Sequence, residues 1–200
     1  MTQFRSADLH LGHGNVIKYS GRPFASADEM NEGIIERWNS VVGPDDDVDV
    51  LGDVCMGKLS ETLPLIGLLN GRKVLLPGNH DRCWHGHRKS SGPQRFLDAG
   101  FAEVITDAYE LPQRWVGEHV VYLCHFPYSG DHTEEDRYDD QRPQDDGHTW
   151  LLHGHVHEAW LQRGRQINVG LDAWGGYPAT DDQILALIEA GPRDLDRLDW

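Results

Sequence analysis

Cysteine is scarce, with three in 200 residues. Cys55, Cys83 and Cys124 are odd in number, far apart and in no C-x-x-C pair. That spacing argues against a disulfide framework and a structural zinc ribbon, and Cys124, inside an apolar run, reads as a small core residue. Long apolar runs are missing too: none approaches the roughly 20 residues of a membrane-spanning helix. Residues 1–7 lack the basic start and apolar stretch of a secretory leader, so the expected location is cytoplasmic. Basic residues are few, 18 against 33 acidic, for a formal net charge of −15. The deficit argues against a general electrostatic grip on nucleic acid, which rests on clustered Lys and Arg. It does not fix the sign of a substrate, because two bound divalent cations would reverse the local charge. No internal repeat is visible, and the length suits a single domain over residues 1–200.

What is present is a series of short apolar runs, each closed by a polar cluster. Residues 4–7 precede Asp8, and residues 48–51 end in Gly52-Asp53. Residues 73–76 end in Pro77-Gly78-Asn79-His80-Asp81, and 120–124 in His125-Phe126-Pro127. Residues 150–152 end in His153-Gly154-His155-Val156-His157. Such runs, stopped by Gly or Pro, predict buried strands. Between them, Ser26 and Glu29 have the spacing of a capping box, and Met30, Ile34 and Trp38 form one apolar helix face. A second helix is predicted over about 60–69, stopped by Asn70-Gly71, with Pro64 opposing a long regular form. A third is predicted over 181–190, with Ile184, Leu185 and Ile188 inward. Strands alternating with helices indicate an α/β fold, whose ligand sites lie at the carboxyl ends of the strands. Residues 130–147, crowded with Asp and Glu, predict a solvated acidic surface loop.

The polar clusters carry chemistry. In Asp8-Leu9-His10, two ligand types stand two residues apart, and on extended chain they point the same way. Gly52 permits the turn that leaves Asp53 at a strand end. Gly78-Asn79-His80-Asp81 follows a turn glycine with three coordinating or titrating residues. His153, His155 and His157 alternate; such imidazoles repel when protonated and serve when neutral and bound to metal. A lone histidine, or an isolated D-x-H, is ordinarily a satisfied core or surface group. The inventory is what matters: this many Asp, Asn and His donors exceed one mononuclear site. They match two cations roughly 3.5–4 Å apart that share a bridging carboxylate. The oxygen and nitrogen mixture suits Mn, Fe or Zn better than Ca, and Mn is the expected ion.

In this order the blocks resemble the calcineurin-like metallophosphoesterase superfamily. They are Asp8-Leu9-His10, Gly52-Asp53, Gly78-Asn79-His80-Asp81, His125 and Gly154-His155-Val156-His157. Gly12-His13-Gly14-Asn15, Gly21-Arg22-Pro23-Phe24 and Asn168-Val169-Gly170-Leu171-Asp172 resemble a small bacterial and phage-type subgroup. The resemblance implies a four-layer α/β/β/α sandwich, two sheets face to face with helices outside. It implies that Asp8, His10 and His157 hold one metal and that Asp53 bridges to the second. Asn79, His125 and His155 would complete the ligand set of the second metal. His80 would be the general acid and Asp81 the acceptor of its ring N–H.

The implied activity is hydrolysis of a phosphate ester by a metal-bridging hydroxide, with His80 protonating the leaving alkoxide. That favours diesters and alkyl monoesters over activated aryl esters only, and the expected substrates are phosphodiester bonds of nucleotides or single-stranded nucleic acid. A phosphomonoesterase acting on a small metabolite is the alternative. A non-catalytic metal-binding scaffold is the third class, opposed by the intact ligand set and His80. His13 and Arg22 are candidate phosphate contacts. His153 is expected to ligate nothing, His119 and His148 to lie on the surface, and Trp84 and Trp174 to belong to the core. Arg82, Arg88, Lys89 and Arg95, with His85 and His87 among them, form the basic stretch of the chain. It is either a solvated loop or a lip that recruits phosphate.

Overall fold

In the computed structural model, residues 1–106, 111–133, 135 and 137–200 are described; Glu134 and Asp136 of the acidic segment lie outside the described residues. Among them are two five-stranded sheets and five α-helices. In the first sheet, strands β1 (Gln3–Ser6), β2 (Asp47–Val50), β3 (Arg72–Leu75) and β4 (Phe101–Val104) run parallel. The second contains β5 (Gln113–Val116), β6 (His119–Leu123), β7 (Trp150–His153), β8 (Gln162–Arg163) and β9 (Gln166–Asn168) in the order β5-β6-β7-β9-β8. A short β10 (Ala179–Thr180) closes the first sheet antiparallel to β1.

The alternation in β2, Asp-Val-Asp-Val, explains how its sheet is covered. Val48 and Val50 enter a core with Met30, Ile34 and Trp38 of helix α2 (Ala27–Val41), which follows the short α1 (Gly14–Tyr19). Asp49 accepts from Arg5 of β1 at 2.6 Å and from Arg114 of β5 at 3.0 Å, so a buried ionic link joins the two sheets. A second core gathers Leu51, Val121, Leu123, Leu152 and Ile167 with Ile184 and Ile188 of the last helix. Trp38 is fully buried and donates its indole N–H to Asn70 O at 3.0 Å; truncating such a ring costs on the order of 3–5 kcal/mol.

Helix ends follow local chemistry. Ser26 caps α2 by accepting from Glu29 N–H at 3.2 Å, but the Glu29 carboxylate reaches back to Ala25 N–H instead of closing the box on Ser26. The helix predicted over 60–69 is only α3 (Leu59–Thr62), continued by a 3₁₀ helix, Leu63–Leu68. Pro64 enforces the change, since it has no N–H to donate and its ring would clash with the preceding turn. After α4 (Gln94–Asp98), α5 (Asp181–Glu189) opens on a complete Thr180–Gln183 capping box. No helix among the described residues is long and apolar enough to cross a membrane.

The sheets meet where their parallel strands end. Ala7 bridges to Gly170 beyond β9, and Leu171 N–H donates to Ala7 O at 3.1 Å. Gly154 N–H donates to His125 O at 3.0 Å, which ties the exits of β6 and β7 together. The carboxyl ends of β1, β2, β3, β6 and β7 therefore share one neighbourhood.

Candidate metal centre

Left-handed backbone builds this neighbourhood. Asp8, His10, Asp53, His155 and His157 have φ of 55°, 51°, 56°, 72° and 49°. Non-glycine residues held there cost on the order of 1–3 kcal/mol each and persist only when their surroundings over-determine them. Asp8 and His10 do converge, but through this conformation and not through the pleat of a strand. Hydrogen bonds from Asp8 N–H to Gly52 O and from His10 N–H to Asp53 O, both 3.0 Å, hold them. Two glycines allow the close approach: a Cβ on Gly52 would lie 2.3 Å from Gly78 N, and one on Gly78 2.3 Å from Asp53 Oδ1.

The candidate donor atoms face one another. His10 Nε2 lies 3.2 Å from His157 Nε2, 4.0 Å from Asp8 Oδ1 and 3.8 Å from Asp53 Oδ2. On the far side, Asp53 Oδ2 is 3.5 Å from His125 Nε2, and Asn79 Oδ1 is 3.1 Å from both His125 Nε2 and His155 Nδ1. Asp53 Oδ1 accepts from His80 N–H at 2.8 Å, which turns Oδ2 toward the imidazoles. Fixed tautomers leave the right nitrogens bare: His125 Nδ1 is bonded to Leu51 O at 2.7 Å, and His155 Nε2 to Asp131 Oδ2 at 3.1 Å.

These residues fit a cation. Asp8 Oδ1 is fully buried and has no hydrogen-bond partner. The donors of Asp8, His10 and His157, of Asp8, Asp53 and His125, and of Asp131, His132 and His155 each lie within 4.8 Å of one another. Ligands about 2.0–2.2 Å from one ion have that mutual spacing.

Electrostatics favour the same use. Burial, followed by the neighbouring His157, holds His10 well below the ordinary histidine range, and burial with His132 and Arg22 does the same for His157. Burial lowers His155 to about 4. All three are neutral imidazoles at neutral pH, as ligands must be. Burial, with Asp53 and Asp172 nearby, pushes Asp8 up to about 8. Burial pushes Asp53 in the same direction, yet His125, His80 and His10 outweigh it and hold its carboxyl low. Burial opposes the charge on His125, but Asp53 and Asp8 raise it to about 9. A divalent cation reverses this logic, stabilising the Asp8 carboxylate and competing with the His125 proton.

Several sequence expectations need correction. Arg22 is not exposed to a phosphate: it is 3% exposed, and its donors are occupied. It grips Asp172 through two bonds of 2.8 Å and donates to Asp8 O at 2.7 Å and Leu9 O at 2.9 Å. Buried backbone carbonyls beside left-handed residues need a donor, and Arg22 supplies it. Asp81 does not accept from the His80 ring. Its carboxylate accepts from the N–H groups of Asp53, Val54 and Gly78 at 2.8, 3.1 and 2.9 Å, and so pins the β2 and β3 exits together. Nor is the whole acidic segment solvated, because Asp131 is 9% exposed and reaches His155.

Other residues fall as follows. His80 stands at the rim, its side chain 43% exposed and its Nε2 3.9 Å from Asp53 Oδ2. His13 is half-buried with its ring 5.3 Å from that of His10. His153 is buried and bonded to Gly154 O, and it belongs to none of the candidate donor groups; His119 and His148 are exposed. Trp174 is a core residue, whereas half-buried Trp84 lines a cavity of about 390 Å³ with Phe126 and His125. Cys124 lines that cavity as well and is only partly buried. The residues that the sequence did not reveal are Asp131, one acid among many, and Ser20, whose Oγ is 3.2 Å from His157 Nδ1. Asn168 and Asp172 had a visible motif but no visible role. Asn168 donates to His157 O at 2.8 Å, and Asp172 Oδ2 is 3.8 Å from His157 Nδ1.

No family model matches the chain. It is 39% identical over 196 residues to the gene 66 protein of Mycobacterium phage D29, covering 93% of this chain and 96% of that one. It is 35% identical over 191 residues to the gene 66 protein of Mycobacterium phage L5, covering 88% and 89%. Among solved structures, a protein of unknown function from Aquifex aeolicus is similar with a TM-score of 0.67 at 24% identity, covering 93% of this chain and 98% of that one. That likeness concerns the fold.

Proposed function

The chain belongs to the family of the mycobacteriophage gene 66 proteins, and we propose that it is a metal-dependent phosphoesterase of the calcineurin-like type. The substrates proposed are phosphodiesters of nucleotides or single-stranded nucleic acid. One observation carries this reading: Asp53, at the end of β2, stands between two sets of buried donors that arrive from four other strand ends. Asp8, His10 and His157 would hold one cation, Asn79, His125 and His155 a second, with Asp53 shared. Manganese is the proposed ion, and iron or zinc suits the same donors. When bound, such ions acidify water toward attack on phosphorus and offset charge on the phosphoryl oxygens. The ionic link between the sheets, with α2 and α5 on their cores, supports a four-layer sandwich as the arrangement.

The chain's own residues supply the rest. As water adds to phosphorus and the bond to the leaving oxygen breaks, that oxygen needs a proton. His80 is the part-exposed imidazole at the rim, 3.9 Å from Asp53 Oδ2, placed to carry it. His10 and His125 stay fixed by packing and by the carbonyl of Leu51. His13, half-buried beside His10, is the proposed contact for a phosphoryl oxygen.

The test is elemental analysis with an activity screen. Protein saturated with Mn should carry two ions per chain, hydrolyse bis(p-nitrophenyl) phosphate, and lose that activity on chelation or with Asp53→Asn. One ion per chain, or no ester hydrolysed with Mn, Fe or Zn, overturns the proposal.

A further inference from the structure

The segment after His80 has two faces. Trp84 and His85 line the aromatic cavity beside His125. Arg82, His87, Arg88 and Lys89 line another cavity, of about 230 Å³, together with His80 and residues 55–57 and 59. Arg95 is absent from this cavity and sits exposed on α4, so the basic stretch is divided by the fold. No carboxylate lines the cavity, and no acid among the described residues pairs with Arg82, Arg88 or Lys89. In a chain of net charge −15, three unneutralised cations around one opening are a local exception. His87 Nδ1 accepts from Lys89 N–H at 2.9 Å, so a neutral His87 carries its proton on Nε2, as a further donor.

We propose that Arg82, Arg88 and Lys89 form a subsite for a second phosphate of the substrate, the one adjacent to the scissile bond on its leaving-group side along a single nucleic-acid strand. The inference rests on the phosphoesterase reading of the adjoining centre. His80 sets the polarity, since it borders both the metal ligands and this cavity, and the leaving oxygen must reach it. Two guanidinium forks and an ammonium suit a phosphate better than any neutral group. The patch also answers a physical problem: an acidic chain repels a polyanion overall, so capture needs a local field of opposite sign.

The test uses the double variant Arg88→Gln/Lys89→Gln. Both residues are exposed, so the substitution leaves the fold intact. Binding of a fluorescent thymidine tetranucleotide is measured in EDTA across a salt series, where no turnover occurs. The variant should bind about tenfold more weakly, and its log–log salt slope should fall by about 1.4, roughly 0.7 for each cation removed from a single-strand contact. With Mn present, the preference for a thymidine dinucleotide with a terminal phosphate over one without it should collapse in the variant. Unchanged affinity and slope would overturn the subsite. Because the binding arm needs neither metal nor hydrolysis, an inactive protein that still shows the binding loss would sink the phosphoesterase reading and with it the leaving-group assignment, leaving a site that only binds strand phosphate. Inorganic diphosphate competing as strongly as the tetranucleotide would overturn the strand and assign the subsite to small diphosphates.

Discussion

Replacing Arg22 with methionine keeps an apolar stem of similar length and removes five N–H donors from the centre of the molecule. Both Asp172 oxygens lose partners at 2.8 Å, and the carbonyls of Asp8 and Leu9 lose theirs at 2.7 and 2.9 Å. The Asp172 carboxylate is fully buried, so its charge is stranded. Removing one partner of such a pair costs about 3–5 kcal/mol. For a chain of this size each kcal/mol lowers the melting temperature by about 2–4 °C, so Arg22→Met should melt on the order of 10 °C below wild type. Thermal unfolding would be followed by fluorescence in EDTA at neutral pH, to keep metal binding out of the comparison. Adding Asp172→Asn should recover part of the loss, because no charge is then stranded, although the two carbonyls stay unserved. A melting point within about 2 °C of wild type, joined to a raised KM for a phosphodiester, would refute the buried clamp and restore Arg22 as a phosphate contact.

Asp131→Ala should weaken Mn affinity about 10–100-fold in a chelator competition, because His155 loses the carboxylate that orients its ring; unchanged affinity would refute that role. His80→Ala should keep the metal content and slow alkyl diesters by about 10²–10⁴-fold, while nitrophenyl esters, whose leaving group departs unprotonated, lose much less. Equal losses on both would remove His80 as the acid. His153 is buried, and burial, with His155 and His125 adding to it, lowers it to about 3. Its folded pKa is below the unfolded value near 6.5, so the unfolded chain takes the proton first. The stability it confers is whole above about pH 6.5 and drains as pH falls toward 3, at up to about 1.4 kcal/mol per unit. Urea unfolding of His153→Asn in EDTA should show a shallower acid loss than wild type, and parallel curves would contradict the assignment.

The donor inventory was legible in the sequence because each candidate donor sits where a short apolar strand stops. Strand-forming runs and the polar residues that close them are local properties, readable without knowing what lies opposite. The same holds for α2, whose Ser26 cap and apolar face are set within a few turns, and for the break that Pro64 makes between Leu59 and Leu68. Tertiary structure decided how those ends are used. Left-handed backbone at Asp8, His10, Asp53, His155 and His157 exists because the meeting of two sheets supplies hydrogen bonds that offset its strain. Arg22 turns inward because two buried carbonyls and Asp172 wait for donors 13 to 150 residues away in the chain. Asp81 turns from its neighbour His80 to three backbone amides, and Asp131 leaves an acidic loop to reach His155. Short polar side chains go to whichever buried group is left unsatisfied, and only the assembled chain determines which groups those are.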